Sequence, residues 1–307
     1  MSRWPALVRF MGIVLTTACG SSATSGGTLI VFNAGSLARP LHAALDSFAR
    51  QEGITFDQES AGSLETARKL TELGKIPDVV ALADVEVIPT FLMPSHATWY
   101  AIFARNRMVV AYTDRSRYAA EVTPDTWWEV LTRDDVQVGR ADPNLDPNGY
   151  RTLLVWQLAE KFYRQPGLAS RLLEQAPARN VRPNEAALVA LLEAGEMDYI
   201  WSYSSMAQRS GFRYVELPEA IDLSSMADST AYAAASVRVA GKTFGDSITI
   251  QGRPISYALT IPTAAPHPDL ARRFVAWLAS PDGQRVLRAE KLDVLDRYVV
   301  TGDSSKR

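Results

Sequence analysis

At 307 residues, with 47% hydrophobic and 21% charged side chains, the chain has an ordinary globular balance and a length that suits about two compact units. Its net charge of -2 supplies no basic field for nucleic acid or an acidic membrane. One cysteine, Cys19, excludes a disulfide framework and a four-cysteine zinc site. The three histidines, His42, His96 and His267, lie too far apart for helical metal-ligand spacing and read as surface or packing residues.

The first residues have the layout of an export signal. Arg3 and Arg9 make a positive start, residues 10–18 form a short apolar run, and Ala18 precedes Cys19. Such a run is too short to span a bilayer as a mature helix. The reading is a signal peptide over 1–18, a lipid attachment point at Cys19, and a Ser/Gly-rich flexible tether over 19–27. Thr16 stands three residues before the cysteine, where lipidated proteins usually carry Leu, and Leu15 lies one further back. The alternative is an ordinary signal peptide with an incidental cysteine. No later segment reads as a transmembrane helix, so the mature protein is expected to be exported and, apart from its anchor, soluble.

Structure is expected from Thr28. Residues 29–33 are a short apolar run with a β-branched pair, which predicts a buried strand. The turn Ala34-Gly35-Ser36 leads to a helix whose apolar face is Leu37, Leu41, Ala44, Leu45 and Phe48. Residues 54–58 predict a second strand, Ser60-Ala61-Gly62-Ser63 a second turn, and Leu64, Ala67, Leu70 and Leu73 a second helix. Pro77 leads into a third strand over 78–83. This alternation argues for a parallel sheet with helices on both faces. A strong strand at 108–112 is followed by a new series: helix 127–131, strand 136–140, helices 149–162 and 184–194, and strand 199–203. It predicts a second α/β lobe. A strand over 255–261 returns the chain to the first lobe, and a final helix over 268–279 buries Leu270, Phe274, Trp277 and Leu278. The expected division is a first lobe from 28–112, a second lobe from 113–254, and the return with its C-terminal helix from 255–301. Residues 224–252 lack clean periodicity and receive no assignment.

Two turns share a design that suits an anion. Gly35-Ser36 and Gly62-Ser63 each lie between a strand and a helix, where open α/β sheets bind ligands. Helix N-termini there present unpaired N–H groups and a positive dipole end, Gly admits close approach, and a Ser hydroxyl can donate to an oxyanion. Ser36 and Ser63 are equally readable as plain helix N-caps. The turn from Asp146 to Arg151 precedes a helix in the same way, with Asp146 a candidate cap, and Glu185 falls in the first turn of another helix, where a carboxylate is favoured. Tyr203 closes a strand.

Taken together, these segments resemble the archaeal-type molybdate/tungstate-binding proteins of ABC importers. The resembling stretches include residues 32–40 (FNAGSLARP), 59–63 (ESAGS), 143–154 (PNLDPNGYRTLL), 181–203 with its RPNE run, and 214–223 (YVELPEAIDL), in register over about residues 28 to 300. The resemblance implies an α/β, type II periplasmic-binding-protein fold, two α/β lobes joined by crossing strands, with the ligand between them. It implies that Gly35, Ser36 and Ser63 bind oxyanion oxygens from the first lobe, with Asn148, through its backbone N–H, and Tyr203 binding from the second. Asp146 and Glu185 match the two carboxylates that approach the metal centre itself. Carboxylates beside a dianion should repel it by several kcal/mol. They make sense if they coordinate an expandable Mo(VI) or W(VI), four oxo oxygens plus two carboxylate oxygens. Sulfur cannot expand in this way, so the same pair discriminates against sulfate.

Asn148 stands where these proteins often carry Cys, and Ser202 and Ser204 replace charged residues that commonly flank the tyrosine. The implied partners are the oxyanion and an ABC permease with its ATPase, for a monomer anchored to the membrane by lipid or free in the periplasm. No cofactor is implied; molybdate or tungstate is cargo. Closure is expected to hinge on the strands near 108–113 and 255–261, and high affinity is expected from helix N–H groups without a neutralising Lys or Arg. The rivals are a binding protein for another small oxyanion such as sulfate, a signalling receptor with the same lobes, and an exported hydrolase using Ser36 or Ser63. The hydrolase lacks a GxSxG elbow and a histidine in triad context.

Overall fold

A computed structural model describes Met1, residues 27–241 and residues 245–303. The expected signal peptide beyond Met1, Cys19, and the tether up to Gly27 lie outside the described residues.

The chain first lays down β1 (Thr28–Ala34), α1 (Ala38–Glu52), β2 (Thr55–Ala61), α2 (Ser63–Thr71), β3 (Val79–Leu82) and β4 (Trp99–Arg105). β1 and β3 are almost wholly buried, as their unbroken apolar runs require of central strands. β2 alternates and is largely exposed, as suits an edge strand. α1 buries Leu41, Ala44, Leu45 and Phe48 on one face and ends at Gly53, which adopts the left-handed conformation at φ +67°.

The chain then crosses to a second sheet through residues 106–107. Here it forms β5 (Met108–Tyr112), α3 (Trp127–Leu131), β6 (Val138–Ala141), α4 (Pro147–Phe162), α5 (Leu168–Gln175), β7 (Val181–Arg182), α6 (Glu185–Ala194), β8 (Tyr199–Tyr203), α7 (Ser204–Arg209) and β9 (Arg213–Glu216). α3 and α4 cover one face, where Trp127 and Trp156 pack edge-on against Trp201 with ring centroids 5.4 and 5.9 Å away. Leu188 and Leu192 of α6 cover the other face over Val109, Ala111 and Ile200. Short helices α8 (Glu219–Asp222) and α9 (Ser229–Tyr232) lead to a hairpin of β10 (Ser236–Ala240) and β11 (Ser247–Gln251). β12 (Ser256–Thr260) re-enters the first sheet, followed by α10 (Pro268–Ala279), α11 (Pro281–Ala289) and β13 (Asp293–Gly302). α10 closes the first sheet's core, with Phe274 and Trp277 5.2 and 5.9 Å from the Phe48 ring.

Several expectations need correction. Neither sheet is parallel throughout. The first has the order β13-β4-β12-β3-β1-β2, and only its β1–β2 and β1–β3 pairings are parallel; β12 runs antiparallel between β3 and β4, and β13 antiparallel along β4. The second has the order β7-β6-β8-β5-β9, with β5 antiparallel to both neighbours. The strand at 108–112, assigned above to the first lobe, belongs to this second sheet, because its fully buried run pairs with the equally buried β8. The helix over 268–279 is not the last element. The unassigned stretch contains the β10–β11 hairpin, whose strands are half exposed and so lack a continuous apolar signal. Among the described residues no helix is long and apolar enough to cross a membrane.

Candidate functional site

The first sheet presents its two turns as expected, but their serines are not caps. Ser36 lies in a short helical turn, Gly35–Leu37, and α2 is entered from Gly62 with Ser63 as its first residue; neither hydroxyl makes a capping bond. Instead the Ser63 Oγ accepts from the Ala83 N–H at 3.0 Å, and the Ser36 Oγ accepts from the Tyr257 hydroxyl at 3.2 Å. Both serines are buried.

The second sheet presents two helix N-termini. Asp146 caps α4 by accepting from the Asn148 N–H at 2.9 Å through Oδ1. Its Oδ2 accepts from the Glu185 N–H at 3.2 Å, which ties the start of α4 to the start of α6. α4 can lie this close to the end of β6 because of Gly149, where a Cβ would sit 2.5 Å from the Ala141 carbonyl oxygen. Glu185, fully buried, accepts from the Ser202 hydroxyl at 2.7 Å and the Tyr203 N–H at 2.6 Å, both on Oε1. Its Oε2, and the Oδ1 of buried Asn148, accept no hydrogen bond among the described residues.

These two sets of turns face each other at contact distance. A Cβ on Gly62 would lie 2.1 Å from the Leu145 carbonyl oxygen and 3.2 Å from Asp146 Cα. A Cβ on Gly35 would lie 3.9 Å from those of Asn184 and Ala186. The Tyr203 ring meets Tyr257, the partner of Ser36, with centroids 5.9 Å apart. Gly35, Ser36, Ser63, Asp146, Asn148, Glu185 and Tyr203 are thus brought together at one junction between the sheets, shielded from solvent.

The junction also holds two arginines, one buried and one half-buried. Arg151 of α4, 3% exposed, donates to the Ala83 carbonyl at 2.7 Å and to the Tyr203 hydroxyl at 2.7 Å, and lies 3.5 Å from Asp84 Oδ2. Asp84 also accepts from the Tyr150 hydroxyl. Arg209 of α7 donates to the Ser36 carbonyl at 3.2 Å and to the Glu290 carbonyl at 3.0 Å. Each guanidinium therefore reaches from the second sheet to the backbone of a first-sheet turn. Burial pushes the Asp146 carboxyl up to about 6 against the pull of its N–H donors and Arg151. Burial pushes Glu185 further, to about 8, against the Tyr203 N–H and the Ser202 hydroxyl, with Asp146 adding to the rise.

Residues 29–290 match the family described as bacterial extracellular solute-binding protein. The chain belongs to that family. It is 45% identical over 262 residues to an uncharacterized solute-binding protein of Petrotoga mobilis, covering 85% of this chain and 82% of the other. It is 35% identical over 303 residues to the Molybdate/tungstate-binding protein WtpA of Pyrococcus abyssi, covering 90% and 87%. Among solved structures, the periplasmic molybdate-binding protein of Azotobacter vinelandii superposes with a TM-score of 0.63 at 14% identity, covering 88% of this chain and all of that one. At that identity the likeness shows the fold alone: the type II periplasmic-binding-protein fold, mixed α/β with two sheets.

In this solute-binding protein the sequence-based site differs from the structure at two points. The Asn148 N–H, expected to face the ligand, is taken by Asp146; the unpartnered atom of Asn148 is its side-chain Oδ1. The second point is the presence of Arg151 and Arg209, for which the sequence reading gave no role and whose carbonyl partners lie far away in sequence. Ser202 holds Glu185, and Ser204 bonds Asn106 at 3.0 Å; neither is left facing the junction unpartnered. Membership of an extracellular family makes this an exported protein.

Proposed function

We propose that this solute-binding protein captures molybdate or tungstate between its two sheets and delivers it to an ABC permease and its ATPase, as a monomer anchored through a lipid on Cys19. The observation that carries the ligand reading is the Glu185 carboxylate: fully buried, with Oε2 free of hydrogen bonds among the described residues and Asp146 beside it. A carboxylate oxygen aimed at an ordinary dianion is repulsive and costs several kcal/mol. Aimed at an oxyanion whose metal centre accepts further oxygen ligands, the same atom forms a bond. Ser36, Ser63 and Tyr203 supply the donors for the oxo oxygens, and the two arginines offset the accumulated negative charge. The relative of Pyrococcus abyssi named for molybdate and tungstate supports the same reading.

The hydrolase reading has no support in the hydrogen bonds. Ser36 and Ser63 bond to Tyr257 and Ala83, whereas His42 and His267 bond to Gln58 and Asp78. The reading is tested by titrating tungstate into wild type, Asp146→Ala and Glu185→Ala. Loss of tight binding in both variants is expected. If both bind as wild type does, carboxylate coordination fails even though a transport role survives.

A further inference from the structure

A hydroxyl has one proton to give and two lone pairs to offer. Where a fixed donor already sits on one lone pair, the hydroxyl's own proton is directed elsewhere. The hydroxyls of Ser36, Ser63 and Tyr203 are each held this way. Arg151, which has only donors, gives a hydrogen bond to the Tyr203 oxygen at 2.7 Å. Ala83 N–H gives one to Ser63 Oγ at 3.0 Å. Asn106 gives an amide N–H to the Tyr257 oxygen at 2.9 Å, and Tyr257 passes its own proton to Ser36 Oγ at 3.2 Å. Asn106 is fixed in that sense because its Oδ1 already accepts from the Arg107 N–H at 2.9 Å and the Ser204 hydroxyl at 3.0 Å. Among the described residues, the protons of Ser36, Ser63 and Tyr203 meet no acceptor in these bonds.

We infer that Arg151 and the Asn106–Tyr257 pair are positioning residues: they make Tyr203 and Ser36 one-way donors to the bound oxyanion. This rests on the binding reading above and deepens it. Tyr257 and Asn106 act through Ser36, and Arg151 acts through Tyr203. None of the three needs to touch the ligand. The arrangement orients the hydroxyl protons before the ligand arrives, so their reorientation is not a cost of binding.

The test is a pair of double-mutant cycles read by calorimetric titration of the mature protein with molybdate. Tyr257→Phe keeps the ring and removes the hydroxyl that links Asn106 to Ser36; it should weaken binding by about tenfold in the wild-type background. In a Ser36→Ala background the same substitution should have almost no effect. Arg151→Lys keeps the buried charge and should behave likewise against Tyr203→Phe. Independent, multiplying losses in both cycles overturn the inference, since a merely structural role for Tyr257 or Arg151 weakens binding whatever stands at position 36 or 203. Failure of the function reading is separately visible: wild type would bind sulfate and not molybdate, and the cycles run with sulfate should then still show the coupling, additivity again overturning it.

Discussion

The Asp146 carboxylate holds the backbone of Glu185: Asp146 Oδ2 accepts the Glu185 N–H at 3.2 Å, while Glu185 Oε1 accepts the Tyr203 N–H at 2.6 Å. One acid therefore sets where the other begins its helix. Both are buried, and burial raises Asp146 to about 6 and Glu185 to about 8. An unfolded carboxyl titrates near about 4. Between these values the folded protein binds more protons than the unfolded chain, so its stability is greatest below that range and falls as pH rises through 6 and then 8. Thermal melts of the ligand-free protein should accordingly show a lower Tm at the alkaline end. Glu185→Gln should flatten the upper part of that slope. An unchanged slope in the variant removes Glu185 as its source.

Gly62 packs directly against the backbone that leads into α4. Gly62→Ala places a Cβ 2.1 Å from a backbone carbonyl of Leu145, an atom that cannot swing aside. The substitution sits on the surface that closes, so it should hold the sheets apart while leaving each core intact. The expected result is binding weaker by about tenfold or more, with a larger radius of gyration by solution scattering in saturating molybdate. A variant as compact and as tight as wild type contradicts the closed arrangement.

Arg68 makes a peripheral latch. From α2 it donates to the carbonyls of Asn144 at 2.9 Å, Ala240 at 3.0 Å and Gly241 at 3.2 Å, joining the first sheet to the α4 turn and the β10–β11 hairpin. These bonds form only when the sheets are together, so Arg68→Ala should speed ligand release by roughly threefold to tenfold and leave the association rate nearly unchanged. Stopped-flow release into excess tungstate measures this. A change confined to association would place Arg68 outside the closure step.

Much of the fold was legible because its central strands and amphipathic helices carry strong periods. The spans 127–131, 199–203 and 268–279 coincide with α3, β8 and α10. What escaped was weakly patterned or decided at long range. β13 is half exposed and carries Asp293, Asp296 and Arg297, so no apolar alternation marks it. The antiparallel insertion of β12 between β3 and β4 depends on which sheet position the returning chain finds, and nothing local in residues 256–260 states it. The site shows the same division. Ser36, Ser63, Asp146 and Glu185 were visible because each sits at a strand–helix turn with its own local signature. Arg151 and Arg209 were not, because an arginine on a helix ordinarily extends to solvent, and their carbonyl partners lie 68 and 173 residues away.

The measurement that bears most directly on the central claim is calorimetric titration of the mature protein with molybdate, tungstate and sulfate in one buffer at one pH above 8, where both acids are ionised. Coordination of the metal centre by Asp146 and Glu185 predicts that molybdate and tungstate bind more tightly than sulfate by about a hundredfold or more, since sulfate meets the same two carboxylates with repulsion and no bond. Equal affinity for sulfate and molybdate would contradict it.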